Sequence, residues 1–341
     1  MYDLDLSDLQ QLVKELGAPG YRAKQIWDGV YKSLWGDPQQ FKVLPAHLRE
    51  ELGDHLEFGS LDPVQSYESR DGMTVKTLYR LRDGLAIEAV LMRYSRRRTL
   101  CISTQAGCAM GCVFCATGQM GYRRNLSSGE IVAQVLYYAR QLAIHEESVT
   151  NVVLMGMGEP FHNYDATMAA IDRLNHPEGF AFGARRFTIS TVGLVPAIRR
   201  FTAEKRQVNL AISLHATEDD LRSSMLPVNE RYPIRELIQA CRDYVETTRR
   251  RVTFEWALIR DVNDSADQAA RLAKLLDGLL CHVNIIPLNP TQKYSGQGST
   301  SERAREFHQI LEQNGIPCST RLRRGIDIHA GCGQLAVLHK P

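Results

Sequence analysis

The sequence predicts an α/β protein: a parallel barrel, complete or partial, behind an N-terminal helical segment and a short β extension. Three observations predict it. Residues 1–57 carry helical apolar spacing, residues 58–93 alternate like a hairpin, and from about residue 99 strand-like runs alternate with helical stretches. Strands separated by helices of this length call for right-handed crossovers and a parallel sheet. At 341 residues, 44% of them apolar, the chain can bury a large core.

Ser7 is a candidate cap for a first helix over Leu9–Leu16, which Gly17 and Pro19 stop. A second helix runs from Tyr21 to Leu34, and Pro45 opens a third towards Leu52. Val75–Leu81 alternates, Asp83-Gly84 turns, and Leu85–Met92 returns as a second strand. The barrel strands are predicted at Leu100–Thr104, Asn151–Met155, Arg186–Thr191, Val208–Ser213, Val252–Ile259, His282–Leu288 and Cys318–Leu322. Helices between them are predicted at Ser128–Leu142, Asp165–Leu174, Ile234–Val245, Ala266–Leu276 and Glu302–Gln313. This divides the chain into 1–57, 58–93, a core over 94–327 and a C-terminal loop over 328–341. In such barrels, chemistry sits at the carboxyl ends of the strands.

The 41 Lys and Arg against 39 Asp and Glu leave a net charge of +2, which argues against a polycation or an acidic tail. A local basic patch is still enough for nucleic acid. Arg96–Arg98, Arg123-Arg124 beside Tyr122, and Arg321 with Arg323-Arg324 offer such patches, although a single run is more often a solvated face. No run approaches a membrane span, and the N-terminus lacks a secretory pattern, so a cytoplasmic address without membrane contact is expected. In a reducing compartment the eight cysteines are not expected to be structural disulfides.

Cys108, Cys112 and Cys115 lie in the run CAMGCVFC, in the loop after the first barrel strand. Three thiolates can hold a four-iron cubane and leave one iron open to a chelating ligand. A zinc knuckle with a distant fourth ligand is the competing reading, and a zinc-stabilised RNA-binding module its functional form. Past other predicted strands lie Gly158 and Glu159 within GMGEP, Ser190, Ser213-Leu214-His215 and Asn289. Cys101 sits in the first barrel strand, and Cys332 lies between Gly331 and Gly333. Glu88 interrupts an apolar row between Ala86 and Val90. Burial there would raise its pKa and suit proton transfer; an edge strand facing water is the alternative.

The CxxxCxxC spacing resembles the radical S-adenosylmethionine superfamily over roughly residues 100–325. Taken with Glu88, Cys101, GMGEP, Ser213-Leu214-His215, Asn289 and Cys332, the order of motifs resembles the RlmN/Cfr family of radical adenosine methyltransferases over nearly the whole chain. That resemblance implies a partial (β/α)6 barrel with an RNA-contacting helical accessory domain. It implies a [4Fe-4S] cluster on Cys108, Cys112 and Cys115, and S-adenosylmethionine, two per turnover, against Gly158, Glu159, Ser190, Ser213, Leu214, His215 and Asn289. Cys332 would carry the methyl group as S-methylcysteine. Cys101 would resolve the adduct through a transient disulfide, and Glu88 would accept the ring proton. The implied targets are carbon 2 of adenosine in 23S rRNA and of the adenosine 3′ to the anticodon in tRNA, with an external electron donor such as flavodoxin. Pro160 favours carbon 2. Carbon 8, modified by the branch that often has Ala at that position, is the alternative.

Overall fold

The computed structural model describes residues 1–321 and 323–336. Leu322, at the end of one predicted strand, and residues 337–341 of the predicted C-terminal loop lie outside the described residues. The chain opens with α1 (Leu6–Glu15), α2 (Tyr21–Tyr31) and α3 (Ala46–His55). Asp5, rather than Ser7, caps α1. Its Oδ1 accepts from the Asp8 N–H at 2.8 Å, and Asp8 Oδ2 accepts from the Asp5 N–H at 3.1 Å. This reciprocal pair satisfies two donors at once, which one serine hydroxyl does not. The Ser7 hydroxyl instead supports the cap by donating to Asp5 Oδ1 at 2.6 Å.

Then come β1 (Asp62–Glu68), β2 (Thr74–Arg80), β3 (Ala86–Arg93) and β4 (Arg98–Cys101). The predicted hairpin is β2–β3. β1 escapes a reading by burial pattern because every one of its residues is exposed. The predicted strand Leu100–Thr104 ends early at Cys101, and a separate small sheet of β5 (Gln105–Gly107) and β6 (Tyr122–Asn125) follows, with α4 (Ala116–Met120) between them. A Cβ at Gly107, whose φ is +76°, would run into the Gly121 carbonyl, so this crossing requires glycine.

The core continues as α5 (Ser128–Ala143), β7 (Asn151–Leu154), α6 (Tyr164–Asn175), β8 (Phe187–Thr191), α7 (Val195–Ala203), β9 (Asn209–Ser213) and α8 (Asp219–Met225). It ends with α9 (Ile234–Thr248), β10 (Val252–Leu258), α10 (Ala266–Leu276), β11 (Cys281–Pro287), α11 (Ser301–Gln313) and β12 (Cys318–Thr320). α7 is absent from the sequence reading because Pro196 looks like a breaker; in a first turn it is tolerated.

Ten strands form one sheet in the order β1-β2-β3-β4-β7-β8-β9-β10-β11-β12. The pairs from β4 through β12 are parallel, and β1, β2 and β3 extend that sheet antiparallel from β4. The order is linear, so the barrel stays open, as the family resemblance implies. Period two sorts the side chains. Phe187, Ile189, Leu210, Ile212, Phe254, Trp256, Val283 and Ile285 are buried in the core, while Thr188, Ser190, Thr253, Glu255 and Asn284 line the lumen. The N-terminal helices share that core through Trp27, Ile26 and Leu9. They are tied to α5 by Arg140, which donates to the Leu34 carbonyl at 2.7 Å and the Tyr2 hydroxyl at 2.8 Å.

Arg222 of α8 is fully buried under the ends of β8 and β9. Its guanidinium donates to the carbonyls of Leu214, Val192 and Ser213 and to Asn229 Oδ1, at 2.6–3.0 Å. Replacement by Met would leave these acceptors buried without a donor. Arg222→Met should therefore lose about 3 kcal/mol in urea unfolding. An unchanged midpoint would show that the strand ends do not depend on this clamp.

Candidate active site

The carboxyl ends of the parallel strands enclose a cavity of about 160 Å³. It is lined by Cys112 and Cys115 on one side, Gly158 and Glu159 after β7, Ser190 on β8, Ser213 and His215 at β9, and Asn289 after β11. Cys332 also faces it. Of the predicted lining, Leu214 alone does not take part. Its side chain is fully buried, its N–H donates to the Glu255 carbonyl, and its own carbonyl accepts from Arg222.

Each polar group is held in a defined state. Glu159 is buried, and its two oxygens accept from the N–H groups of Phe161 and Val192, both at 2.9 Å. It thereby joins the end of β7 to that of β8. Burial raises its pKa to about 7, against the pull of those two amides. His215 has φ +62°. Its Nδ1 accepts from the Ala257 N–H at 2.8 Å, which assigns the ring proton of the neutral imidazole to Nε2. Gly158, at φ +102°, lies where a Cβ would come within 2.6 Å of Gln105.

The cluster loop runs from β5 into α4. Cys108 and Cys112 are buried, and Cys115 is half-buried. Burial pushes the Cys108 thiol up to about 12 and the Cys112 thiol well above the usual range, with the neighbouring thiols adding to the effect. Phe114, between Cys112 and Cys115, packs edge-on against His215 with ring centres 5.0 Å apart. Three soft ligands on a short loop beside a polar cavity suit an iron–sulfur cluster with a bound small molecule. Asn289 adds to the fit. Its Oδ1 is buried at the cavity wall with no hydrogen-bond partner among the described residues, while its Nδ2 donates to the Cys332 carbonyl at 3.1 Å. An acceptor left open in this way suits a cationic or hydroxyl-bearing ligand.

Beside the cavity lies a smaller pocket of about 60 Å³, lined by Cys101, Cys332, Met92, Tyr94, Met155 and Arg321 among others. Cys332 thus belongs to both spaces. Burial pushes the Cys101 thiol up to about 12, with Cys332 adding, whereas Cys332 itself is exposed and has the Arg321 charge beside it.

Glu88 does not face water. β3 is an interior strand, and Glu88 is 3% exposed. Its Oε1 pairs with Lys76 at 3.0 Å, and its Oε2 accepts from the Ala336 N–H at 3.1 Å. Burial raises its pKa, and Lys76 opposes the rise. It lines neither of the two spaces just described. Among the arginine runs, Arg98 is engaged with Glu147, and Arg124 with Glu130 and Asp83. Arg97 and Arg324 stack on Tyr94.

Sequence reasoning missed a further cleft of about 580 Å³ at the other end of the lumen, lined by Arg185, Arg249, Arg250, Arg251 and Arg321 together with Glu255. The run of three arginines before β10 was its one visible signal.

The superfamily model for radical SAM proteins matches residues 102–276. The chain is 49% identical, over 350 residues, to the probable dual-specificity RNA methyltransferase RlmN of Chloroflexus aurantiacus, covering 99% of this chain and 93% of that protein. The chain belongs to the radical SAM superfamily and, within it, to the RlmN family. The dual-specificity RNA methyltransferase RlmN 1 of Myxococcus xanthus is 48% identical over 335 residues, covering 98% and 93%. A crystal structure of a radical SAM methyltransferase from Sphaerobacter thermophilus superposes with a TM-score of 0.97 at 53% identity, covering 98% of both chains. Membership of the superfamily implies a [4Fe-4S] cluster and S-adenosylmethionine, which the cysteine loop and the cavity fit. Among the described residues, no helix is long and apolar enough to cross a membrane.

His215 gives this RlmN-family site a pH signature. Burial, with help from the Arg222 charge, lowers its pKa from 6.5 to about 3. Its contribution to stability is therefore present above pH 6.5 and is lost as pH falls towards the folded value. Between pH 7.5 and 5.0 the wild type should lose about 2 kcal/mol more than His215→Asn, measured by urea midpoints at both pH values. Equal losses would mean that the imidazole is not buried neutral.

Proposed function

We propose that this chain methylates carbon 2 of adenosine in 23S rRNA and in tRNA, using Cys332 as an intermediate methyl carrier. The observation that carries the reading is the shared position of Cys332, which lines both the cavity beside the cysteine loop and the pocket that holds Cys101. A carrier must meet a methyl donor on one side and a resolving thiol on the other. RNA as the substrate class is in the names of the curated relatives; 23S rRNA, tRNA and carbon 2 come from the family resemblance, and carbon 2 also from Pro160.

Cys108, Cys112 and Cys115 hold the cluster, and Gly158, Glu159, Ser190, Ser213, His215 and Asn289 surround S-adenosylmethionine. When bound, these groups supply the methyl group and a 5′-deoxyadenosyl radical, two molecules of S-adenosylmethionine being used per turnover. The chain's own residues do the rest. The Cys332 sulfur takes the methyl as a thioether. That S-methyl group would give up one hydrogen atom to the 5′-deoxyadenosyl radical, and its carbon radical would then add to the base, the adduct returning one electron as the ring proton leaves. Glu88 accepts the ring proton. Its Oε2 is covered by the Ala336 amide, so displacement of that segment exposes the carboxylate. Cys101 attacks the Cys332 sulfur. The bond from that sulfur to the methyl-derived carbon breaks as the disulfide forms, the carbon taking a proton. An external two-electron dithiol reductant restores both thiols, while a flavodoxin-type donor would supply the single electron that the cluster needs. Arg321 lies beside both thiols and favours their ionised forms.

Replacing Cys108, Cys112 and Cys115 together with Ala should abolish cluster iron and S-adenosylmethionine cleavage. Iron retained by this triple variant after anaerobic reconstitution would overturn the assignment, and stoichiometric zinc in the wild type would favour the RNA-binding module instead.

Cys101→Ala should stop after carbon addition and accumulate a covalent protein–RNA adduct through Cys332. On a denaturing gel the adduct should collapse on nuclease treatment and be missing from the Cys101→Ala, Cys332→Ala double variant. Normal turnover by Cys101→Ala would defeat the two-thiol reading.

A further inference from the structure

Glu255 is a buried acid that the mechanism above leaves unused. It lies on β10 with its side chain in the lumen, and it is 4% exposed. It lines both the cofactor cavity and the arginine cleft, and so stands where the two spaces meet. One oxygen is spoken for: Glu255 Oε1 accepts from Asn284 Nδ2 at 3.0 Å. The other, Oε2, is buried and has no hydrogen-bond partner among the described residues. Among the described residues the nearest cation is Arg321, whose Nη2 is 4.0 Å from Oε1.

The carboxylate is held in place by a chain of hydrogen bonds with one consistent direction. Ser319 Oγ donates to Asn284 Oδ1 at 2.9 Å, which fixes the amide so that Nδ2 must face Glu255. Since the Ser319 hydroxyl proton is used there, the 2.9 Å contact with His282 Nε2 is one in which the imidazole donates. The chain from His282 through Ser319 and Asn284 thus delivers a donor to Oε1 and leaves Oε2 as an open acceptor. A buried carboxylate oxygen without a donor is costly, and a fixed one is costlier because it cannot turn away. Such an oxygen is expected where a ligand supplies the missing donor.

On the methyltransferase reading two ligands would meet at this position, the cofactor in the cavity on the cysteine side and the target nucleotide from the cleft on the other. The arginine cleft is the side suited to RNA. Arg185, Arg249 and Arg251 offer guanidinium groups for phosphates, and the open lumen leads from there to Arg321 and the two thiols. We propose that Glu255 Oε2 reads the target base by accepting from the exocyclic amine of adenine, with Arg321 donating to a neighbouring ring nitrogen. This deepens the methyltransferase reading and rests on it. Adenine carries a donor where hypoxanthine carries a carbonyl. In the same pose inosine would set oxygen against carboxylate, and purine riboside would leave Oε2 unpaired.

The test uses the cluster-loaded enzyme and RNA substrates carrying adenosine, purine riboside or inosine at the methylated position. Wild-type kcat/KM should fall about 100-fold on purine riboside and further on inosine. Glu255→Gln should lower kcat/KM on adenosine while leaving purine riboside nearly unchanged, so that the discrimination collapses. Methylation of Cys332 in the absence of RNA, measured on the same variant, separates a contact to the base from a contact to the cofactor. An equal loss on all three RNAs would make Glu255 a structural residue and overturn the proposal. So would slowed Cys332 methylation with discrimination intact, which would make it a cofactor contact. No wild-type methylation of the adenosine substrate would instead sink the underlying function.

Discussion

Five hydrogen bonds seat residues 331–336 against the open face of the barrel, and the site is built around that seat. The Ala116 N–H donates to the Gly333 carbonyl at 2.7 Å, and the Thr117 hydroxyl to the Leu335 carbonyl at 2.6 Å. Asn289 donates to Cys332, Gln334 to the Pro290 carbonyl, and the Ala336 N–H to Glu88. The partners come from α4, the loop after β11, and β3. A segment with no secondary-structure ladder of its own is therefore placed by three separate elements. Without it, the cavity loses Cys332 as a wall and Glu88 loses its cover. The cysteine loop and the Cys332 segment are also linked directly, because α4 follows Cys115.

The open barrel explains why one site can serve a small cofactor and a large polymer. A closed barrel would fill its lumen with side chains, and its chemistry would lie only at the rim. Here the sheet ends at β12 and continues on the other side as an antiparallel extension, leaving a polar lumen of Thr188, Asn209, Thr253, Glu255 and Asn284. Polar side chains in that position are costly unless paired or used. Asn284 and Asn209 are paired, and Glu255 is paired on one oxygen only.

Much of this was legible in the sequence. Strand–helix alternation showed the parallel sheet, because periods of two and 3.6 survive in a single chain. The cysteine loop was legible because three thiols at that spacing leave few alternatives. Glu88 was read as a carboxylate in an apolar row, and burial followed. Glu255 lacks that signal, because on its own face of β10 it lies between Thr253 and Ala257, and a polar residue beside it reads as an ordinary solvent-side row. Its significance depends on Asn284 and Ser319 from other strands, which spacing along one strand does not reveal. The split between β4 and β5 was hidden because Ile102, Ser103 and Thr104 continue the β-like composition past the last ladder bond. Leu214 was placed in the lining because it sits between two lining residues, yet the turn at His215 directs it into the core.

The central claim is that the methyl carbon reaches RNA by way of Cys332 and not directly. Methyl-trideuterated S-adenosylmethionine tests this most directly, with the cluster-loaded enzyme, the RNA substrate, and mass spectrometry of nucleosides after nuclease digestion. Transfer through a carbon that loses one hydrogen on Cys332 and regains one from solvent predicts methyladenosine carrying two deuteriums, at carbon 2. Methyladenosine that retains all three would mean intact transfer of the methyl group and would contradict the account.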